Sequence, residues 1–515
     1  MRMMASHLVK AAALTGTLYL LATPAFAQKD PGVRGGSSGT LEFRGIPIPR
    51  PPVISPNPTT GAKIQQNELL SFNEGINRAG QLESTCDSCA DVPDGSPVIG
   101  KGELDPLFPQ FHTNSNGLGA RHSGDQCFVC HTQPTLGGSG GFLVPNPGAK
   151  KPMLPENPMF RLVPLRFGKK NIVPSFEEQF GPIRTVRFKR HPDGTRDGGQ
   201  RQLWVVTGIK KDPTIPNCRI VQPDFAAQPA DNLAFRIPLQ LLGLGLIDSI
   251  QDREILSRHD ATAAQRKALG ITGHPNRSSD DGTIARFGWK ASGKSITTEA
   301  GAAYNEIMGI TNELFPTATE EDPDCQGPNK PEPNDVTRTD VTDAHNAGFH
   351  NPLHILADWV QFSILMRFMD APRPDPHPSA SAQRGKKVFN NIGCALCHTP
   401  QMQTAPVMNS AVLQNRPVDL FSDLLLHHMG PGLADDIMQG AAGPDEFRTV
   451  PLWGVGPRLF FLHDGRTNDL LVAIRAHRSA ASSQFPASEA NAVINKFQNL
   501  PRSDQQAILD FLRSL

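Results

Sequence analysis

The stretch Cys394-Ala-Leu-Cys397-His398, with its counterpart Cys127-Phe-Val-Cys130-His131, decides how this chain is read. C-x-x-C-H is the attachment signature of c-type haem. Two cysteines three apart lie on one side of a helical turn, where both thiols can bond the vinyl groups of one porphyrin edge. The adjacent histidine then places its imidazole on the iron as proximal ligand. Zinc ribbons also use two C-x-x-C pairs, but those sit about 15–20 residues apart. Here more than half of the 515 residues separate them, and each is followed by a histidine that neither a ribbon nor a redox dithiol needs. The expected cofactors are therefore two covalently bound haem c groups, held by Cys127, Cys130, Cys394 and Cys397, with His131 and His398 on the irons.

The length allows two or three domains of about 100–200 residues each. Residues 1–27 read as a secretory signal peptide, with Arg2 and Lys10 ahead of an apolar run over 11–22 and a small-residue cleavage site at Ala25-Phe26-Ala27. That run is short for a membrane span, and no second long one follows, so the mature chain is expected to be soluble and periplasmic. A formal net charge of zero, with no basic run, argues against nucleic acid as a partner. The 47 prolines and 46 glycines imply long ordered loops around a modest helical core. The expected fold is mainly α, with two cytochrome c-like haem domains. An extension covers 28–110, a haem domain 111–370, a polyproline-type linker 371–379 and a C-terminal cytochrome c domain 380–515. Alternating runs at 183–188 and 202–207, around Asp193-Gly194 and Asp197-Gly198, predict a minor β-hairpin insertion. Helices are expected over 252–269, closed by Gly270, and over 297–310, 354–369 and 503–515, with weaker helical spacing at 64–80. Of the remaining cysteines, Cys218 and Cys325 can form a structural disulfide. Cys86 and Cys89 form a third C-x-x-C with Ala90 in place of histidine, a short-loop disulfide or a redox dithiol.

Further strings carry a resemblance. Arg286-Phe-Gly-Trp289-Lys-Ala, Met308-Gly-Ile-Thr311, Leu424-Leu-Leu-His-His-Met429-Gly-Pro-Gly-Leu-Ala-Asp435, Phe447-Arg-Thr-Val-Pro-Leu-Trp453-Gly and Phe461-Leu-His463-Asp-Gly-Arg466 together resemble the bacterial di-haem oxidoreductase family. That family is often labelled peroxidase or thiol oxidoreductase, and the match runs from about residue 110 to the end. It is distantly related to the di-haem cytochrome c peroxidases and to the di-haem enzyme that matures methylamine dehydrogenase. The resemblance implies that the residue fourteen positions after His463, which is His477, binds the C-terminal haem iron, with Met429 as the competing ligand. The relatives have Met or Tyr there, and a bis-His iron has a lower potential than one with a thioether ligand. Trp289 resembles the tryptophan between the two haems of the peroxidases and becomes the candidate electron relay. Ten residues after it, where the relatives carry a distal glutamine, stands Glu299; twenty after, where they carry glutamate, stands Gly309. Glu299 or Glu306 is then the candidate acid–base group for peroxide cleavage. Arg466 is a candidate partner for a haem propionate. No histidine follows the first motif at the peroxidase spacing, and His112 and His122 precede it, so the His131 iron is expected to be open. Arg458 and Phe460 replace the residues that bind calcium in the relatives.

Three functions fit these residues. The first is a peroxidase-like enzyme fed by a small electron-donor protein, a cytochrome or cupredoxin, and reducing peroxide or another small oxidant. The second is an electron carrier with both irons six-coordinate. The third is an oxygenase or protein-modifying oxidase, which the scarcity of tyrosine, two in the chain, disfavours by removing radical relay positions. A thiol-oxidoreductase role would fall to Cys86 and Cys89.

Overall fold

The computed structural model describes residues 28–31, 82–84, 114–116, most of 121–141, 157, 173–205, 222–325 except 313 and 318, 358–405 and 413–515. Expectations for 1–27, 64–80, Cys86, Cys89, His112 and Cys218 lie outside these residues.

Helices dominate. In chain order they are α1 (Cys127–Cys130), α2 (Leu244–Asp248), α3 (Asp252–Ala261), α4 (Ala263–Leu269), α5 (Ile296–Met308), α6 (Asp358–Phe368), α7 (Ala380–Ile392), α8 (Leu470–Ala476), α9 (Asn491–Gln498) and α10 (Arg502–Ser514). Helix α5 shows why its sequence folds as it does. Ser295 caps it by accepting the Thr298 amide at 3.1 Å, and Gly309, at φ +69°, ends it. Ile296, Ala300, Tyr304 and Met308 recur every four residues, are all buried, and form the stripe that packs on α6, where Tyr304 meets Phe362 at 5.2 Å. The single helix expected over 252–269 is instead two. Thr262 leaves the helical region at φ −109°, ψ 9°, and its hydroxyl bonds the His259 carbonyl at 3.2 Å in competition with the backbone ladder. Gly270 closes the second of them, at φ +70°.

The sheets are small. Strand β1 (Thr185–Phe188) lies between β2 (Gln200–Arg201) and β3 (Leu233–Arg236), antiparallel to both. The expected return strand over 202–207 is corrected here. Only Gln200 and Arg201 pair with β1, and Trp204–Val205 pairs with Arg121–His122 instead. Leu203, 1% exposed, turns into the core at the junction, while β3 takes the other edge of β1 in a four-residue register. Strands β4 (Leu426–His428) and β5 (Glu446–Arg448) form a second antiparallel pair, with Leu426 opposite Arg448.

Two hydrophobic clusters organise the interior. One joins Ile255, Tyr304, Phe362 and Met366 to Met402, Leu420, Leu424 and Trp453, so residues on both sides of 371–379 share it. The other gathers Phe389, Phe421, Phe461, Leu470, Phe497 and Phe511 around the second haem motif. Residues 28–31 dock on this second cluster, where Asp30 pairs with Arg513 at 2.6 Å and accepts the first amide of α8, that of Leu470, at 2.9 Å. Helices α7 and α10 cross closely enough that a Cβ at Gly385 would overlap the Ala507 carbonyl. Gly385→Ala should therefore lower stability by about 2–3 kcal/mol, an overpacking cost read as a reduced urea midpoint at unchanged slope.

Candidate haem sites

Helix α7 delivers the second motif. Gly393, at φ +106°, ends it and turns the chain directly into Cys394. Cys394, Cys397 and His398 line a cavity of about 230 Å³ with otherwise mostly apolar walls, among them Phe389, Leu470, Ile474 and Val493. His398 donates Nδ1–H to the Phe421 carbonyl at 3.1 Å, which leaves Nε2 as the free nitrogen. Across the cavity, α8 starts at Asp469, whose carboxylate accepts the Leu471 and Val472 amides, and stops at His477. His477 bonds the Ala473 carbonyl through Nδ1 at 2.8 Å, so its Nε2 is also free. The two ring centroids stand 6.5 Å apart. With metal–imidazole bonds of about 2 Å, two rings on opposite sides of one ion have centroids about 6.3 Å apart. Burial brings His398 down to about 4 and lowers His477 as well, so both offer neutral lone pairs. Met429 lies on the wall of the same cavity.

The first motif builds a second, larger cavity. Helix α1 carries Cys127 and Cys130, and His131 donates Nδ1–H to the Gly138 carbonyl at 3.2 Å. Burial brings His131 to about 4. The cavity measures about 510 Å³, and His131 is its only lining histidine among the described residues, although the thioethers of Met308 and Met366 also reach its wall. His122 is buried in its strand pair and is not a lining residue. Glu299 enters from α5, and a Cβ at Gly293 would overlap its carboxyl, so the glycine makes room for it. Burial, reinforced by the charge of Glu306 and partly offset by Arg448, raises Glu299 to about 7. Glu306 also lines this cavity, but its side chain is 46% exposed and pairs with Arg187 at 3.3 Å.

The two cavities share a wall. Trp289, Arg448, Val450 and Pro451 line both. Trp289 donates its indole N–H to the Ile237 carbonyl at 2.8 Å and meets His463 edge-on at 6.3 Å. His463 in turn stacks on Phe447 at 4.4 Å, and the Lys290 ammonium lies 4.2 Å from the centroid of the same Phe447 ring. Lys290 is fully buried. It pairs with Asp435 at 3.0 Å, and Arg236 of β3 pairs with the other oxygen of Asp435 at 2.6 Å.

Residues 227–515 match the family described as "Di-haem oxidoreductase, putative peroxidase". The chain belongs to this family. No curated protein matches it. Among solved structures it is similar to a MauG-like protein associated with microbial copper homeostasis, at 16% identity over 33% of this chain and 55% of that one, with a TM-score of 0.23. It is also similar to hydrazine synthase of Kuenenia stuttgartiensis, at 16% identity over 33% of this chain and 60% of that one, TM-score 0.20. A third likeness is to the diheme peroxidase BthA from Burkholderia thailandensis, at 14% identity over 62% of this chain and 90% of that one, TM-score 0.28. The matched region thus spans less than two thirds of the length of the first two.

The side chains of this di-haem oxidoreductase fit its cofactor. Each cavity presents two thiols and an imidazole whose Nδ1 is turned to a backbone carbonyl, and the walls contain buried arginines that make no ion pair among the described residues. Arg458, on the wall of the His398 cavity, is 8% exposed, and its guanidinium makes no hydrogen bond or ion pair among the described residues. A haem propionate is the anion such a cation requires. Arg466 lines neither cavity. It lies at the surface, bonded to Asp464 at 2.6 Å and to the Gly432 carbonyl at 2.9 Å, because the tight turn at Gly465 directs it away from the cavity. The sequence held one signal for Arg458, a lone charge inside an apolar string, Val455-Gly-Pro-Arg-Leu-Phe-Phe461. A second missed group is the Asp423–His427–Glu489 brace beneath Cys397. His427 lies 2.9 Å from Asp423 and 2.8 Å from Glu489, both nearly buried. Cys397, Asp423 and His427 approach within 4.8 Å, as metal ligands would, but both nitrogens of His427 are already donated to carboxylates.

Asp435 is the anchor of the wall. Burial pushes its pKa up, yet Arg236 and Lys290 outweigh burial and hold it below its usual 3.8. Its contribution is therefore complete above the unfolded-state value and is lost only as pH falls through the lower folded value. Asp435→Asn leaves two buried cations uncompensated and should cost about 3–5 kcal/mol in urea unfolding at neutral pH, a loss that narrows on acidification.

Proposed function

We propose that the protein is an exported di-haem c-type cytochrome with peroxidase-like activity. Cys394, Cys397 and His398 would hold the haem that takes electrons from a small donor protein, a cytochrome or cupredoxin. Trp289 would lie on the path to the haem held by Cys127, Cys130 and His131, the site at which a peroxide would be reduced. The observation that carries this reading is the asymmetry of the two cavities. One pairs His398 with His477 at bis-ligand spacing; the other combines a single histidine with a buried carboxyl raised to about 7. Covalent attachment is supported by both thiols of each motif lining the same cavity as its histidine. A periplasmic location is supported by the signal-like composition of residues 1–27. Among the described residues no helix is long and apolar enough to cross a membrane.

Bound haem supplies one-electron carriage and, where a coordination position is free, a place for a small oxidant. The chain supplies the rest. Reducing one hydrogen peroxide to two waters consumes two electrons and two protons. As a carboxylate, Glu299 accepts the proton from the near peroxide oxygen; as the acid, it returns that proton to the departing oxygen. A group with a pKa near the working pH serves both halves of that exchange. Glu306, ion-paired and half-exposed, is the weaker shuttle. His477 and His398 would together hold the other centre fully ligated, which would suit it to carrying electrons and exclude oxidant from it.

The electron-carrier reading draws on Met308 and Met366, the two thioethers on the wall of the His131 cavity. Low-temperature EPR of the oxidised protein, calibrated against haem content, separates the two. One high-spin and one low-spin ferric signal are expected, and His477→Ala should convert the low-spin signal; two low-spin signals that survive half-reduction would leave the carrier. Peroxide turnover should rise with pH through about 7 as Glu299 ionises. Glu299→Gln should remove that limb and lower turnover by about 10²–10⁴-fold. An unchanged profile assigns the proton transfer elsewhere.

A further inference from the structure

The geometry points to Arg448 as a positioning residue common to both haem sites, holding Trp289 in the dividing wall and supplying the cation for a haem propionate. Arg448 ends β5 and is 6% exposed. Its amide donates to the Trp289 carbonyl at 2.8 Å, and its Nε donates to the Gly288 carbonyl at 2.7 Å. Main chain and side chain of one residue thus grip two consecutive peptides at the relay tryptophan. Gly288 turns there at φ +76°, a conformation open to glycine, so the grip falls where the backbone bends.

The rest of the guanidinium is the unusual part. Several other buried cations among the described residues are satisfied by side chains or carbonyls of the chain: Arg236 and Lys290 by Asp435, Arg286 by Asp252, Arg513 by Asp30, and Arg266 by three oxygens. Arg448 has no ion pair among the described residues, and its Nη1 is buried with no hydrogen-bond partner. A buried charge left so is strongly unfavourable. An anion brought by the cofactor resolves it, and a planar fork is the group best shaped for a carboxylate. Arg458 is in the same condition but lines only the His398 cavity, whereas Arg448 lines both. Arg448 also acts electrostatically on Glu299 in the second cavity. Arg458 is therefore local to one centre, and Arg448 belongs to two.

The inference rests on the proposed passage of electrons between the haems, and its readouts do not use peroxide, so failure of the peroxidase reading remains separable. Reduction potentials of both haems would be measured by optical redox titration in the haem-loaded wild type, Arg448→Gln and Arg458→Gln, with haem content checked in each. Removing a positive charge favours the oxidised iron, so Arg458→Gln should lower the potential of the His398 haem alone. Arg448→Gln should lower both potentials and slow electron equilibration between the haems, followed after one-electron photoreduction, by about tenfold, close to 1.4 kcal/mol in barrier. Arg448→Lys keeps the charge and loses the bond to Gly288, so it should restore the potentials and remain slow. Arg448→Gln moving only one potential overturns the shared role. Arg448→Lys equilibrating at the wild-type rate overturns the positioning role, and it decides the matter alone if the Gln variant does not retain both haems.

Discussion

The carboxylate of Asp435, 1% exposed on its side chain, is shared by two cations from distant parts of the chain, Arg236 and Lys290. With Asp435 absent, each cation would sit in the interior against a desolvation cost of several kcal/mol. The ion triplet therefore specifies one relative placement of β3, the Trp289 turn and the 430s loop. From that placement follow the position of Phe447 under Lys290, the stacking of His463 on Phe447, and the edge-on approach of His463 to Trp289.

The wall so built has rigid backing on each face. On one side the bonds from Trp289 to Ile237 and from Arg448 to Gly288 and Trp289 leave the indole no alternative position that keeps its polar groups satisfied. On the other, the Phe421–Asp423 segment bonds back to the second haem motif, through His398 Nδ1 and the Cys397 carbonyl, and the Asp423–His427–Glu489 brace fills the space behind it. His398 and His477 of this cavity, and His131 in the other, are each oriented by a backbone carbonyl rather than by a side chain. A carbonyl in a packed loop has one position, so the free nitrogen of each ring is aimed by the fold itself.

What the sequence made legible was whatever is encoded by short spacing. The two C-x-x-C-H motifs, the helical run about 297–310 and the Gly270 stop are all local patterns. What it hid depends on partners far along the chain. Arg458 and Arg448 stand out only once their surroundings are seen to lack an anion, and no spacing reports that. Arg466 sits beside His463 in a familiar string, yet the turn between them sends it to solvent. The return strand was misplaced because β1 pairs with two segments, 200–201 and 233–236, and alternation alone does not say which residues reach it. Thr262 divided a helix that composition favoured, since one hydroxyl bonding backward is enough to end a ladder already near a helix terminus.

The common wall has a consequence for how such a molecule can diversify. Trp289, Arg448, Val450 and Pro451 are surface to both cavities at once, so any exchange there is felt by two centres and must satisfy both in a single step. The far side of the larger cavity, formed by β1, β2 and the outward face of α5, carries no such double duty. Inherited variation that alters which small molecule is admitted should accumulate on that free side, while the partition stays nearly constant across descendants, leaving one ancestral conduit serving many different chemistries.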